Sequence, residues 1–178
     1  MTTRIDRQIR SLDTRRNALL DELAPLDPAV LGRSPAPGKW SILEIVEHLV
    51  LSEREVCRFP ETAERRDRPR RLKHRFAYFV VFLVLRFRIR VKAPSPKMLP
   101  QGEWSLADSR REWDENLNQL RAYASGLDRK ALDRAVFKHP AAGPITLSQA
   151  LTLGLLHVED HARQIGRLKA KGEFPSAG

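Results

Sequence analysis

Residues 146–169, TLSQALTLGLLHVEDHARQIGRLK, decide the fold. Leu147, Leu151, Leu155, Val158, Ala162 and Ile165 recur at spacings of three and four, which places them on one helical stripe. Thr146 with Gln149 three residues later makes a capping box, and Gly143-Pro144 breaks the chain just before it. Lys169 and Lys171 suit the negative helix end and Gly172 its stop. The same stretch holds His157 and His161, four apart and so one turn above each other on a single face. Both lie at the edge of the apolar stripe.

Outward from this helix the pattern repeats. Thr3 to Leu23 carries Ile5, Ile9, Leu12, Leu19, Leu20 and Leu23 on one side. Asp27-Pro28 starts a short turn. After the loop Ser34 to Trp40, the box Ser41/Glu44 opens a helix with the stripe Ile42, Ile45, Val46, Leu49, Val50, Val56 and Cys57, ending near Phe59-Pro60. Ser105 and Asp108 open another, with Leu106, Trp113, Leu117, Leu120, Ala124 and Leu127, and Gly126 near its end. Four amphipathic helices of this length bury their stripes against one another, so the expected fold is an all-α four-helix bundle forming one domain over 1–178.

The long stretch Glu61 to Glu103 interrupts the bundle between its second and third helices. A connection of that length is expected to carry its own element. It holds an arginine-rich run (Arg65, Arg66, Arg68, Arg70, Arg71), the apolar run FAYFVVFLVL at 76–85, and the prolines Pro94, Pro96 and Pro100. The apolar run falls short of the roughly 20 residues that a membrane-spanning helix needs. Lys73, Arg75, Arg86, Arg88 and Arg90 hem it in. A buried or dimer-interface helix, with the arginines at its end reaching solvent, is the expectation. A strand and a peripheral membrane contact are the alternatives.

The net charge of +10 leaves nucleic acid and anionic lipid open, but no nucleic-acid motif with interleaved aromatics is present. One cysteine, Cys57, excludes an intramolecular disulfide. The polar segment Met1 to Leu12 lacks the apolar core of a secretory signal, so a cytoplasmic protein is expected.

Of five histidines, His48 also sits beside its helix's stripe, with Glu44 one turn before and Ser52 one turn after. Side chains at stripe edges point into the grooves where bundles build cofactor sites. The His157/His161 pair is not the HExxH string of helical metalloproteases, because Val158 follows His157. A polar flank or a buried hydrogen-bonded pair are the alternative readings of the same spacing. Glu44 and Asp160 are candidates to orient a histidine, though each also fits a solvated helix position. His74 and His139, in the insertion and before Pro140, are expected not to be ligands.

The string PAPGKWSILEIVEHL (35–49), the string HVEDHARQIGRL (157–168) and the helix order resemble the DinB/YfiT-like superfamily of helical metal-dependent proteins over most of Ser34 to Leu168. The resemblance implies a divalent metal, with zinc, nickel and iron not distinguished, held by His48, His157 and His161. It implies a small-molecule substrate and a homodimer. Activities known in that family include thiol transfer with low-molecular-weight thiols and a mycothiol-dependent maleylpyruvate isomerisation. The expected function is thus a metal-dependent hydrolase or thiol transferase, activating a thiol or water for attack on a small electrophile. The alternative is a binding module or peripheral membrane protein acting through the insertion, which is more basic than the family's simplest pattern.

Overall fold

A computed structural model of the chain describes residues 4–56, 71–87, 89, 95–127, 132, 134, 135 and 137–170. Four long helices make the bundle: α1 (Arg4–Leu23), α3 (Ile42–Val56), α5 (Leu106–Ser125) and α6 (Leu147–Ala170). A one-turn helix α2 (Pro28–Leu31) follows α1, with Asp27 accepting the Ala29 N–H as its cap. The insertion forms a helix, α4 (Leu72–Arg86), and a short 3₁₀ turn (Pro96–Met98). The end of the second helix near Phe59-Pro60, Cys57, the run Arg65 to Arg70, Arg88, Arg90, Lys171 and Gly172 lie outside the described residues.

The helices pack as a ring in the order α1, α6, α3, α5 and back to α1. The predicted stripes line its interior. All six apolar positions read in the first helix are buried, as are Ile42, Ile45, Val46, Leu49 and Val50 of α3. Trp113, Leu117 and Leu120 enter from α5, and Leu147, Leu151, Val158 and Ile165 from α6. Arg16 is buried with them. Its Nε donates to Asp13 at 3.0 Å and its Nη2 to Asp114 at 2.5 Å, so the buried cation is paired.

Three helix starts are capped as their sequences dictate. Ser41 Oγ accepts the Glu44 N–H at 3.1 Å while the Glu44 carboxylate accepts the Ser41 N–H at 2.7 Å. Ser105/Asp108 and Thr146/Gln149 repeat the arrangement. Each box satisfies two N–H groups that the helix itself leaves unpaired. Replacing Ser41, Ser105 or Thr146 by Ala is expected to lower stability by about 1 kcal/mol in denaturant titration. Unchanged midpoints in all three would contradict these starts.

Two features depart from expectation. The segment before α6 is a β-hairpin of β1 (Phe137–His139) and β2 (Gly143–Ile145), in antiparallel register with Phe137 opposite Ile145. Gly143, read as a breaker, is the first residue of β2. Its φ of +72° suits glycine, and a Cβ there would lie 3.3 Å from the His74 ring of α4. The second departure is α4 itself. It is the expected helix, packed on α6 and the hairpin, but the expected burial does not hold: none of its residues is buried. Tyr78, Val81, Phe82 and Leu85 rest partly covered on the bundle, while Leu72, Phe76, Phe79 and Val80 face outward. Its fifteen residues offer one face to α6, and among the described residues no second layer covers the other. Arg86 is exposed at its end, as expected.

Candidate metal centre

The ring order places α3 beside α6, so the stripe-edge positions of the two helices face each other. His48 from α3 and the pair His157/His161 from α6 meet there. His157 Nε2 lies 3.3 Å from His48 Nε2 and 3.1 Å from His161 Nε2. Among the described residues this is the group that could hold a metal ion, its ligand atoms all within 4.8 Å of one another. His48 is buried, and His157 and His161 are half-buried. Trp40, just before α3, packs its ring 4.8 Å from that of His48 and covers one side of the cluster.

The outer nitrogens of two of the rings are held. His48 Nδ1 lies 2.6 Å from the Met98 carbonyl, with Ser52 Oγ at 3.4 Å. His161 Nδ1 lies 2.8 Å from Gln164 Oε1. A carbonyl and a carboxamide oxygen only accept, so both rings carry their proton on Nδ1 and turn an unprotonated Nε2 inward. These are the partners that orient a metal-binding imidazole. Glu44 and Asp160, the candidates read from sequence, do not fill this role. Glu44 is consumed by its own helix cap, and Asp160 acts on His161 only through its charge.

The Met98 carbonyl reaches His48 because Glu47 holds the strand of chain behind it. Glu47 is 2% exposed, and its two carboxylate oxygens accept the N–H groups of Gln101 and Gly102, each at 2.9 Å. Gly102, at a φ of +75°, makes the turn that presents its N–H. Met98 itself is buried against α3. Sequence reading missed Glu47, Met98 and Gln164. The available signal was a carboxylate at 47 amid an apolar stripe, and an amide at 164 three residues after His161. The Met98 contact is made by backbone and leaves no side-chain trace.

The donor set fits a cation. With His48 and His161 both presenting lone pairs, the one proton His157 Nε2 can carry satisfies at most one of its two contacts. The other sets acceptor against acceptor. Protonating the cluster is disfavoured: loss of solvation within the packed groove takes His48 down to about 4 and His157 well below its ordinary value, and lowers His161. Three neutral imidazoles converging on one point fit a borderline metal ion.

His74 and His139 stand elsewhere. His74 Nδ1 accepts the Arg71 N–H at the start of α4, at 3.3 Å. His139 Nδ1 accepts the N–H groups of Ala141 and Ala142 in the hairpin turn. Substituting either by Gln is expected to leave metal content unchanged. A stoichiometric loss in either variant would reopen the ligand set.

Burial also sets the acid limb of stability. His139, like His48, is taken down to about 4 by desolvation. These imidazoles bind protons more readily unfolded than folded, so stability falls as pH drops from 6.5 towards 4. Glu53 acts in the opposite sense. Desolvation raises it to about 7, against the Trp113 indole that donates to it at 3.0 Å, so its share of stability is lost as pH rises from 4.5 through 7. Four histidines outweigh one carboxyl. The metal-free protein is expected to melt at progressively lower temperature from pH 6.5 to pH 4.5. A flat or rising melting temperature would show that the histidines are not desolvated.

Fold and site together define a class: helical bundles with a three-histidine centre that can bind a metal, set between two neighbouring helices. The chain belongs to the DinB superfamily, whose family model matches residues 11–165. No curated protein and no solved structure matches it. Among the described residues no helix is long and apolar enough to cross a membrane.

Proposed function

We propose that the chain is a metal-dependent enzyme in which His48, His157 and His161 hold one divalent ion that activates a thiol or a water for attack on a small electrophile. The observation that carries this reading is the convergence of three imidazole Nε2 atoms, at 3.1 and 3.3 Å, with the proton of two of the rings held on the outer nitrogen. Three protein ligands leave coordination positions open, the pattern of catalytic and not of structural sites. When bound, the ion supplies a lowered pKa for a coordinated water or thiol, giving a nucleophile at neutral pH.

The chain's own residues do the rest. Met98 and Gln164 fix the proton on the outer nitrogen of two ligands and hold their rings in register. Trp40 shields the His48 side of the cluster, and His157 and His161 are half-buried. The net charge of +10 favours approach of anionic thiols and electrophiles.

The test is turnover. Protein loaded with zinc, nickel or iron(II) is assayed with small thiols against an activated aryl halide, and separately with water against activated esters. Turnover that chelation abolishes and metal restores is the expected result. Absence of metal-dependent turnover with every loaded form would set the enzymatic reading aside in favour of a binding role.

A further inference from the structure

Helix α4 is apolar on two opposite faces. Tyr78, Val81, Phe82 and Leu85 face the bundle. On the other side Leu72, Phe76, Phe79 and Val80 are 81%, 69%, 53% and 40% exposed, and Phe87 and Ile89 continue the patch past the helix end. Spacings of four, three and one put the outward four in a single sector of the helix. Lys73 lies along one edge of that sector and Arg75 and Arg86 along the other, all exposed. The helix has no acidic residue. From Arg68 to Gly102 the sequence has ten Lys or Arg and no Asp or Glu.

We propose that this face docks on an anionic lipid surface, with Phe76 and Phe79 in the boundary between headgroups and acyl chains and Lys73, Arg75 and Arg86 on lipid phosphates. Charge complementarity selects this occupant. In an isologous pair of α4 helices run antiparallel, Lys73 and Arg75 of one copy would meet Arg86 of the other. In a parallel pair like would meet like. Neither arrangement brings an acid from α4 to offset the repulsion. A polyanion without an apolar phase would neutralise the cations and leave Leu72, Phe76 and Phe79 in water. An acidic bilayer surface takes both halves: the apolar stripe partitions and the flanking cations gain from the surface potential. The helix is too short to go further than the interface.

Flotation with vesicles tests this on the full chain, using phosphatidylcholine alone and phosphatidylcholine mixed with phosphatidylglycerol. The wild type is expected to co-float with the anionic vesicles, not with the neutral ones, and to be released by high salt. Phe76→Asp/Phe79→Asp is expected to lose flotation while keeping the wild-type melting temperature and metal content, because neither ring belongs to the core. Lys73→Glu/Arg75→Glu, which leaves the apolar stripe intact, is expected to weaken partitioning by about tenfold or more. Failure of the wild type to float with anionic vesicles overturns the proposal, as does unchanged flotation of both variants. A wild-type dimer that Phe76→Asp/Phe79→Asp converts to a monomer, without vesicle binding in either, would overturn it by showing a second copy on this face.

Discussion

His157→Ala is expected to abolish stoichiometric metal binding. His157 is the central member of the cluster: its Nε2 is the atom within 3.3 Å of both other inward nitrogens. Removing it leaves His48 and His161 on different helices with no donor between them. The loss in affinity should exceed the roughly 10–100-fold that removing an orienting partner costs. Folding should survive. His157 is only half-buried, and its removal relieves an unfavourable contact between acceptors in the metal-free state. Metal at 100-fold its dissociation constant stabilises a wild-type site by about 2.7 kcal/mol. In the variant this metal-dependent rise in melting temperature should vanish, while the metal-free melting temperature stays at or above that of the wild type. Full metal retention by elemental analysis, in protein made without a histidine tag, would sink the assignment.

Glu47→Ala is the second large effect, and it acts without touching the ligands. The carboxylate is buried and accepts two backbone N–H groups. Truncating it strands both donors, and charge-assisted bonds of this kind are worth about 1.5–3 kcal/mol each, so a stability loss of about 3 kcal/mol is expected. The chain from Pro96 to Gly102 would then no longer be pinned to α3, and His48 would lose the fixed Met98 carbonyl. Metal affinity is expected to fall about 10–100-fold, with stoichiometry still reaching one at saturation. That split separates a positioning residue from a ligand. Unchanged affinity, with only stability lost, would confine Glu47 to a structural role.

Much of the bundle was legible because its signals are local. Helix stripes and capping boxes are set by residues within one turn of each other, and Ser41, Ser105 and Thr146 each announce a start that the structure keeps. His157 and His161 were legible as a pair for the same reason. His48 could be paired with them only by combining its stripe-edge position with a family resemblance, since it is far away in sequence. The rest was hidden for physical reasons. The hairpin 137–145 is too short for alternation to register, and its Gly143-Pro144 resembles any turn. The role of Glu47 was hidden because its partners are backbone N–H groups in a loop more than fifty residues away. For α4, composition announced an apolar segment, but which of its faces meets the bundle depends on where α6 and the hairpin lie.

The convergence of His48 with His157 joins points 109 residues apart in the chain. An ion spanning them is a removable cross-link. Closing a loop of that length costs an unfolded chain about 4 kcal/mol in lost freedom, so the complete ligand set exists only once the two ends of the bundle have come together. The His157/His161 half-site needs only one turn of helix and can take up an ion before that happens. Metal captured early would thus sit on α6 with ligand positions unfilled, and the arrival of α3 would complete them. Refolding in the presence of metal should then proceed through a loosely held ion that becomes resistant to chelator only in the last, collapse-dependent phase.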